Sequence, residues 1–243
     1  MTAPTASRCR VLELRQYTLR PGRRDDLIGL FERELVRPQE AVGMRVLGTF
    51  RDLDDADRFV WLRGFADMTS RRSGLEAFYG GPVWSRHRTA ANATMLDSDD
   101  VRLLRPTDPP HPLPDGAAPS AGTPATRPGC VAVTVYLVRP GDERVVRWLT
   151  ELVGPLLERL LGVTVSTLRT EPSENNFPAL PVRAGDNAFV WLAAFDDVQK
   201  HGHAMAALQS DPDWTGTVLP RLDAQLLGRQ ELRLAPTATS AFP

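Results

Sequence analysis

At 243 residues, with 42% hydrophobic content and a formal charge of −1, the chain is long enough for two folded units, and its charge balance favours neither nucleic acid nor an anionic membrane. Cys9 and Cys130 form no spaced set with histidines or acids, which argues against a disulfide framework and a metal centre. Lys200 is the single lysine among 29 basic residues, so pyridoxal-type Schiff-base chemistry is not expected.

Met1 to Ser7 is polar and small and lacks the apolar stretch of a signal peptide or anchor, so a cytoplasmic protein is expected. Leu12-Glu13-Leu14-Arg15-Gln16-Tyr17 alternates as a first strand should. After Pro21-Gly22, Asp25 and Asp26 open an amphipathic helix with Leu27, Leu30, Phe31 and Leu35 on one face. Met44 to Phe50 and Phe59 to Phe65 read as a hairpin joined by an Asp-rich connection. Helical stretches follow around residues 71–79 and 84–93, and a last strand ends at Arg105. Eight prolines between Pro106 and Pro128 cannot hold a helix or central strand and predict an extended linker.

The same order then returns. Tyr17 to Gly22 reappears 119 residues later as Tyr136 to Gly141, and Phe59-Val60-Trp61-Leu62 reappears 130 residues later as Phe189-Val190-Trp191-Leu192. The division is a first repeat over 9–106, a linker over 107–129 and a second repeat over 130–236. The change of offset places an 11-residue insertion in the second repeat, around Glu171 to Pro178. It reads either as a tolerated surface loop or as a lid. Each repeat runs strand, helix, strand, strand, helix, strand: a ferredoxin-like βαββαβ unit.

Glu13-Leu14-Arg15-x-Tyr17 with Pro21-Gly22, the segment Phe59 to Phe65 with Asp67, and Pro82-x-Trp84 ahead of Asn92 resemble the NIPSNAP family of the dimeric α/β barrel superfamily. The resemblance covers residues 9–106 and, more loosely, 130–236. It implies an α+β fold in which the two ferredoxin-like repeats form an intrachain dimeric α/β barrel, a pseudodimer that could still be part of a homo-oligomer. In that superfamily small ligands, and in some members haem, lie between a sheet and its helices.

Comparison of the repeats singles out candidate residues. Glu13, Arg15, Arg63, His87 and Asn92 correspond to Ala132, Thr134, Ala193, Thr217 and Leu222, so a polar set stands only in the first repeat. Strand alternation puts Glu13, Arg15 and Tyr17 on one face and Phe59, Trp61, Arg63 and Phe65 on one face of the neighbouring strand. These charges form either a structural ion pair or a clamp for an anionic ligand, to which the planar guanidinium is suited. His87, three residues beyond Trp84 on a predicted helix, is either a solvated histidine or a general base, and Tyr79 is a core cap or a pocket hydroxyl. The pair His201 and His203 lacks a carboxylate partner and is not expected to bind metal. No phosphate loop, nucleophile elbow or zinc-protease motif occurs.

The family resemblance, together with the one-sided polar set, implies two functions. In the first, a small-molecule enzyme of specialised metabolism acts on an aromatic or polyketide-like substrate by cofactor-independent oxygenation, isomerisation or cyclisation. Arg15, Arg63, His87, Glu13 and Tyr79 would then be catalytic, with Tyr17, Trp61, Phe65, Trp84 and Asn92 binding the ligand; no cofactor is expected, haem being the alternative. In the second, the protein is a non-catalytic ligand-binding or scaffolding member of the family. Any polar ligand site is expected mainly in the first repeat.

Overall fold

A computed structural model describes residues 9–108, 113 and 129–242. The expected linker lies outside the described residues except at 107, 108, 113 and 129. The first half runs β1 (Val11–Leu19), α1 (Arg24–Leu30), a π-helical turn (Phe31–Leu35), α2 (Val36–Ala41), β2 (Arg45–Asp52), β3 (Arg58–Phe65), α3 (Met68–Tyr79), α4 (Pro82–Asn92) and β4 (Met95–Pro106). The second repeats it: β5 (Cys130–Val138), α5 (Glu143–Trp148), a π turn (Leu149–Val153), α6 (Gly154–Leu161), β6 (Val165–Thr170), β7 (Asn187–Phe195), α7 (Val198–Ser210), a further π turn (Trp214–Val218), α8 (Leu219–Gln225) and β8 (Leu226–Pro236).

The π turns are each tied to a proline. Pro38, Pro155 and Pro220 cannot donate to the carbonyl four residues back, and that carbonyl belongs to Glu34, Glu151 or Gly216, inside the three π turns. A widened turn lets the helix continue past a ring that would clash with a regular α turn. The extra residue also shifts the helical phase, which brings Val36 and Gln39 onto the face that already buries Leu27, Phe31 and Leu35.

Within each half the strand order is that of a ferredoxin-like sheet, and all eight strands close into one barrel in the order β1-β3-β2-β8-β5-β7-β6-β4. Two seams join the halves with the same register. Phe50 opposes Pro236 and Arg51 opposes Ala235 at one; Leu168 opposes Pro106 and Arg169 opposes Arg105 at the other. A threonine pair pins each seam, Thr49 with Thr237 at 2.7 Å and Thr167 with Thr107 at 2.6 Å.

Alternation sends one face of every strand into the barrel and the other toward the helices. The lumen is filled by Leu12, Leu14, Val60, Leu62 and Leu104 from the first half and Val131, Val133, Val190, Leu192 and Leu234 from the second. Phe242, beyond β8, folds back against Phe50 with ring centroids 5.4 Å apart. The barrel is a packed core, and the remaining space for chemistry is between each sheet and its helices. Among the described residues no helix is long and apolar enough to cross a membrane.

Candidate functional site

β1 presents Glu13, Arg15 and Tyr17 to the helical layer, and antiparallel pairing sets Arg63 directly opposite Glu13 and Trp61 opposite Arg15. α3 supplies a third arginine. Its N-cap, Asp67, accepts a hydrogen bond of 2.7 Å from the Ser70 amide, which fixes the first turn and the position of Arg71. Gln39 enters from α2.

These side chains converge on one carboxylate. Glu13 Oε2 accepts from Arg15 Nη1 and Arg63 Nε, both at 2.8 Å, and Oε1 accepts from Arg71 Nε at 2.7 Å. Arg63 Nη1 donates to Gln39 Oε1 at 3.1 Å, and Arg15 Nε donates to the Tyr17 hydroxyl at 3.0 Å. All are sealed from solvent: Glu13, Arg63 and Arg71 are 0% exposed and Arg15 2%. Among the described residues Glu13 is the only carboxylate ion-paired with these three guanidinium groups, so two positive charges lack a counter-ion inside the cluster.

Electrostatics follow from that imbalance. Burial disfavours an ionised Glu13, but Arg63, Arg15 and Arg71 outweigh it and hold the carboxyl well below the usual carboxylate range. For Arg71 burial dominates and Glu13 only partly offsets it, so its charge is disfavoured relative to a free arginine. Burial likewise raises the Tyr17 hydroxyl against the opposing pull of Arg15 and keeps it protonated at neutral pH. Aromatic faces supply partial compensation: Arg63 lies 5.0 Å from the Trp61 ring, 5.5 Å from Phe65 and 5.9 Å from Tyr79, and Arg15 lies 5.5 Å from both Tyr17 and Trp61. Two guanidinium donors remain buried without an aligned acceptor, as does the Trp61 indole N–H. Arg71 Nη2 has none, and Arg63 Nη2, 2.7 Å from Glu13 Oε2, is off the hydrogen-bond direction.

The insertion between β6 and β7 comes from the other half and lies over this cluster. Its backbone first follows β4, with the Glu171 amide on the Leu103 carbonyl at 2.9 Å and the Arg183 amide on the Val101 carbonyl at 2.8 Å. Between those points Asn175 Oδ1 and Asn176 Oδ1 accept from Arg71 Nη1 at 3.0 and 2.7 Å. Phe177 and Leu180 pack against the first-half core, Phe177 with its ring 6.0 Å from Tyr79.

Of the residues singled out from sequence, Glu13, Arg15, Arg63, Tyr17, Trp61, Phe65 and Tyr79 meet here. Trp84 is one layer out, 5.0 Å from the Tyr79 ring. His87 is not in the ion-paired cluster; its Nε2 lies 3.6 Å from Glu34 Oε2, beside the first π turn. Asn92 is exposed at the end of α4 and takes no part in the sealed cluster. The 130-residue offset pairs it with buried Leu222, but the π turn before α8 adds a residue there, so the structural counterpart of Leu222 is Ala91. Arg71 and Gln39 were missed. Arg71 differs from its counterpart at the 130-residue offset, His201, and that contrast is visible in the sequence, whereas Gln39 matches Leu157 only once the helices are aligned through their π turns.

In the second half Ala132 and Ala193 replace the Glu13 and Arg63 pair at the same register. On the half that lacks the arginine cluster, a cleft of about 320 Å³ is lined by Asp142 at the start of α5, Val145 and Trp148 on α5 and Arg221 on α8.

Residues 12–109 match the NIPSNAP family model, described as NIPSNAP. No curated protein matches the chain. Among solved structures, a Fusobacterium nucleatum protein provisionally named a monooxygenase superposes with a TM-score of 0.63 at 9% identity over 94% of this chain and 93% of its own. An anthrone oxidase-like protein gives 0.59 at 14% identity over 98% and 97%. A Lactobacillus acidophilus protein, also provisionally named a monooxygenase, gives 0.58 at 11% identity over 96% and 98%. At such identities the likeness concerns the fold of the whole two-repeat chain.

Proposed function

We infer that this chain, whose residues 12–109 are a NIPSNAP domain within a two-repeat α/β barrel, binds a small aromatic or polyketide-like anion at the Arg15, Arg63 and Arg71 cluster and acts on it without a cofactor. The observation that carries this reading is three buried guanidinium groups sharing one carboxylate. Buried ion pairs that are purely structural tend toward balance, because an uncompensated buried charge costs about 3–5 kcal/mol. An enolate or phenolate would supply the missing negative charge, and the ring faces of Trp61, Phe65 and Tyr79 would hold its carbon skeleton.

The roles divide by geometry. Arg15 and Arg63 stabilise developing oxyanion charge, while Glu13 keeps the guanidinium planes in place. Held ionised by three arginines, Glu13 is a weak base, so the proton is moved by Tyr79 or by His87 after a side-chain rearrangement. Substrate activated as its anion would react with molecular oxygen, isomerise or cyclise; the names of the two monooxygenase-type neighbours and the anthrone oxidase-like protein favour oxygenation among these. A haem at this site would have to take its axial ligand from Tyr17, whose oxygen is engaged by Arg15, or from Tyr79 in the aromatic layer.

Titration with 1-hydroxy-2-naphthoate, followed by tryptophan fluorescence, tests the reading, with 2-methoxynaphthalene as the neutral control. The naphthoate should bind to the wild type and not to Arg63→Ala, with the variant still folded. Equal binding of the neutral compound, or unfolding of both Arg15→Ala and Arg63→Ala, would instead assign the cluster a structural role. For a substrate found by oxygen-uptake screening, His87→Gln should slow turnover about a hundredfold if His87 is the base; unchanged turnover transfers that role to Tyr79.

A further inference from the structure

We propose that the second repeat's insertion is the lid of the first-repeat site, and that Asn175 and Asn176 hold Arg71 in the closed form with amide oxygens that a substrate's two oxygens replace. The proposal rests on the anion-binding reading above and adds the route of entry and the shape of the ligand's polar end.

The cluster is sealed, so a ligand reaches it only if a covering element moves. Most of the cover is strand or helix held by continuous backbone ladders. The exception is the segment between β6 and β7, which has no regular structure over residues 171–186. Its hold over the cluster is made by side chains. Asn175 and Asn176 accept from Arg71, Asn176 Nδ2 donates to the Met68 carbonyl at 2.6 Å, and Phe177 and Leu180 rest on the aromatic layer. The ends of the segment stay anchored to β4 at Leu103 and Val101 and by the Arg183 to Asp100 ion pair, so its tip can lift without the barrel opening.

The chemistry of the contact points to the ligand. Two neutral carboxamide oxygens converge on one nitrogen of a buried guanidinium, and the adjacent Nη2 has no acceptor. A planar group with two oxygens on one carbon or on 1,3-related carbons, such as a carboxylate or the enolate of a 1,3-dicarbonyl, would engage both nitrogens of that edge and bring the negative charge that amides lack. The asparagines thus satisfy part of Arg71 while the site is empty and yield to a better acceptor. The lid comes from the second repeat, so the degenerate half supplies access control to the half that retains the charges.

The test is stopped-flow binding of 1-hydroxy-2-naphthoate to the full chain, in the wild type, in Asn175→Ala/Asn176→Ala and in Asn176→Asp. The double alanine variant should associate about tenfold faster and bind correspondingly tighter, as expected if the wild-type lid is open about one part in ten. Asn176→Asp places a carboxylate on Arg71 and should abolish binding while raising the melting temperature. If the wild type binds and the double variant associates at the same rate or binds more weakly, the asparagines are fixed parts of the site and the lid is overturned. Unaltered binding by Asn176→Asp overturns the replacement of amide oxygens by ligand oxygens. Failure of both the wild type and the double variant to bind overturns the anion site along with the lid.

Discussion

Glu13 and its arginines are not interchangeable in what they contribute, since one carboxylate serves three cations. Glu13→Gln leaves three guanidinium groups facing one another and should destabilise by about 3–5 kcal/mol. Arg15→Gln relieves an excess positive charge and should cost clearly less; chemical denaturation of the two variants provides the comparison, and equal losses would contradict the charge count. His201, which stands where the first half has Arg71, is buried and lies 5.2 Å from the Phe195 ring. Burial first, and Arg233 second, lower its pKa from 6.5, with Asp54 opposing. The unfolded chain therefore binds this proton more tightly than the folded one. The stabilisation is full above about 6.5 and is lost as pH falls through the lowered folded value. The melting temperature of the wild type should drop between pH 7.5 and 5.5 by more than that of His201→Gln. The Glu13 carboxylate contributes to a separate window: its stabilisation is present above its ordinary value of 4.5 and is lost only as pH falls below it.

Each first strand ends in the same Pro-Gly turn, with Gly22 at φ 73° and Gly141 at φ 77°. A Cβ at either glycine would meet nothing within 4 Å, so the requirement is one of backbone conformation alone. Gly22→Ala and Gly141→Ala should each cost about 1 kcal/mol, and their effects should add because the turns lie in different halves; strongly non-additive unfolding free energies would imply that the turns are coupled. The helices show the limit of such local rules. The 3.6-residue pattern identifies an amphipathic segment after Asp25, but the π turn ending at Leu35 rotates the buried face, and the same effect before α8 moves Asn92 out of register with Leu222. The prolines that accompany these turns are plain in the sequence; what they do to the helix depends on the widened turn being held by packing.

The barrel as a whole is closed by two seams of equal register, and this makes the halves dependent on one another. Residues 9–108 alone would expose Leu12, Leu14, Val60, Leu62 and Leu104 along with the free edges of β2 and β4. Since β8 is the counterpart of β4 and β6 of β2, two copies of the first half can pair edge to edge as the natural halves do. The isolated fragment should run as a dimer by light scattering; a stable monomer would show that the lumen is dispensable. Phe242 reaches back into the same lumen, and Phe242→Ala should cost about 3–5 kcal/mol, read from the denaturation midpoint.

Strand faces, helix positions, the duplication and the one-sided placement of Glu13, Arg15 and Arg63 are legible in the chain because they follow from periods of 2 and 3.6 and from a repeat offset, all of which are properties of neighbouring residues. The seating of the insertion over the cluster and the meeting of Arg71 with Glu13 are not, and the shared barrel is implied by the family resemblance rather than by any local pattern. Glu13 and Arg71 are separated by 58 residues and Arg71 and Asn176 by 105, so their meeting depends on how β6 is seated against β4 and on which half the following loop crosses. The sequence by itself therefore determines two ferredoxin-like units and a charge asymmetry between them. Only the tertiary structure decides that the second half's insertion covers the first half's charge cluster, because burial acts between segments that no local pattern connects.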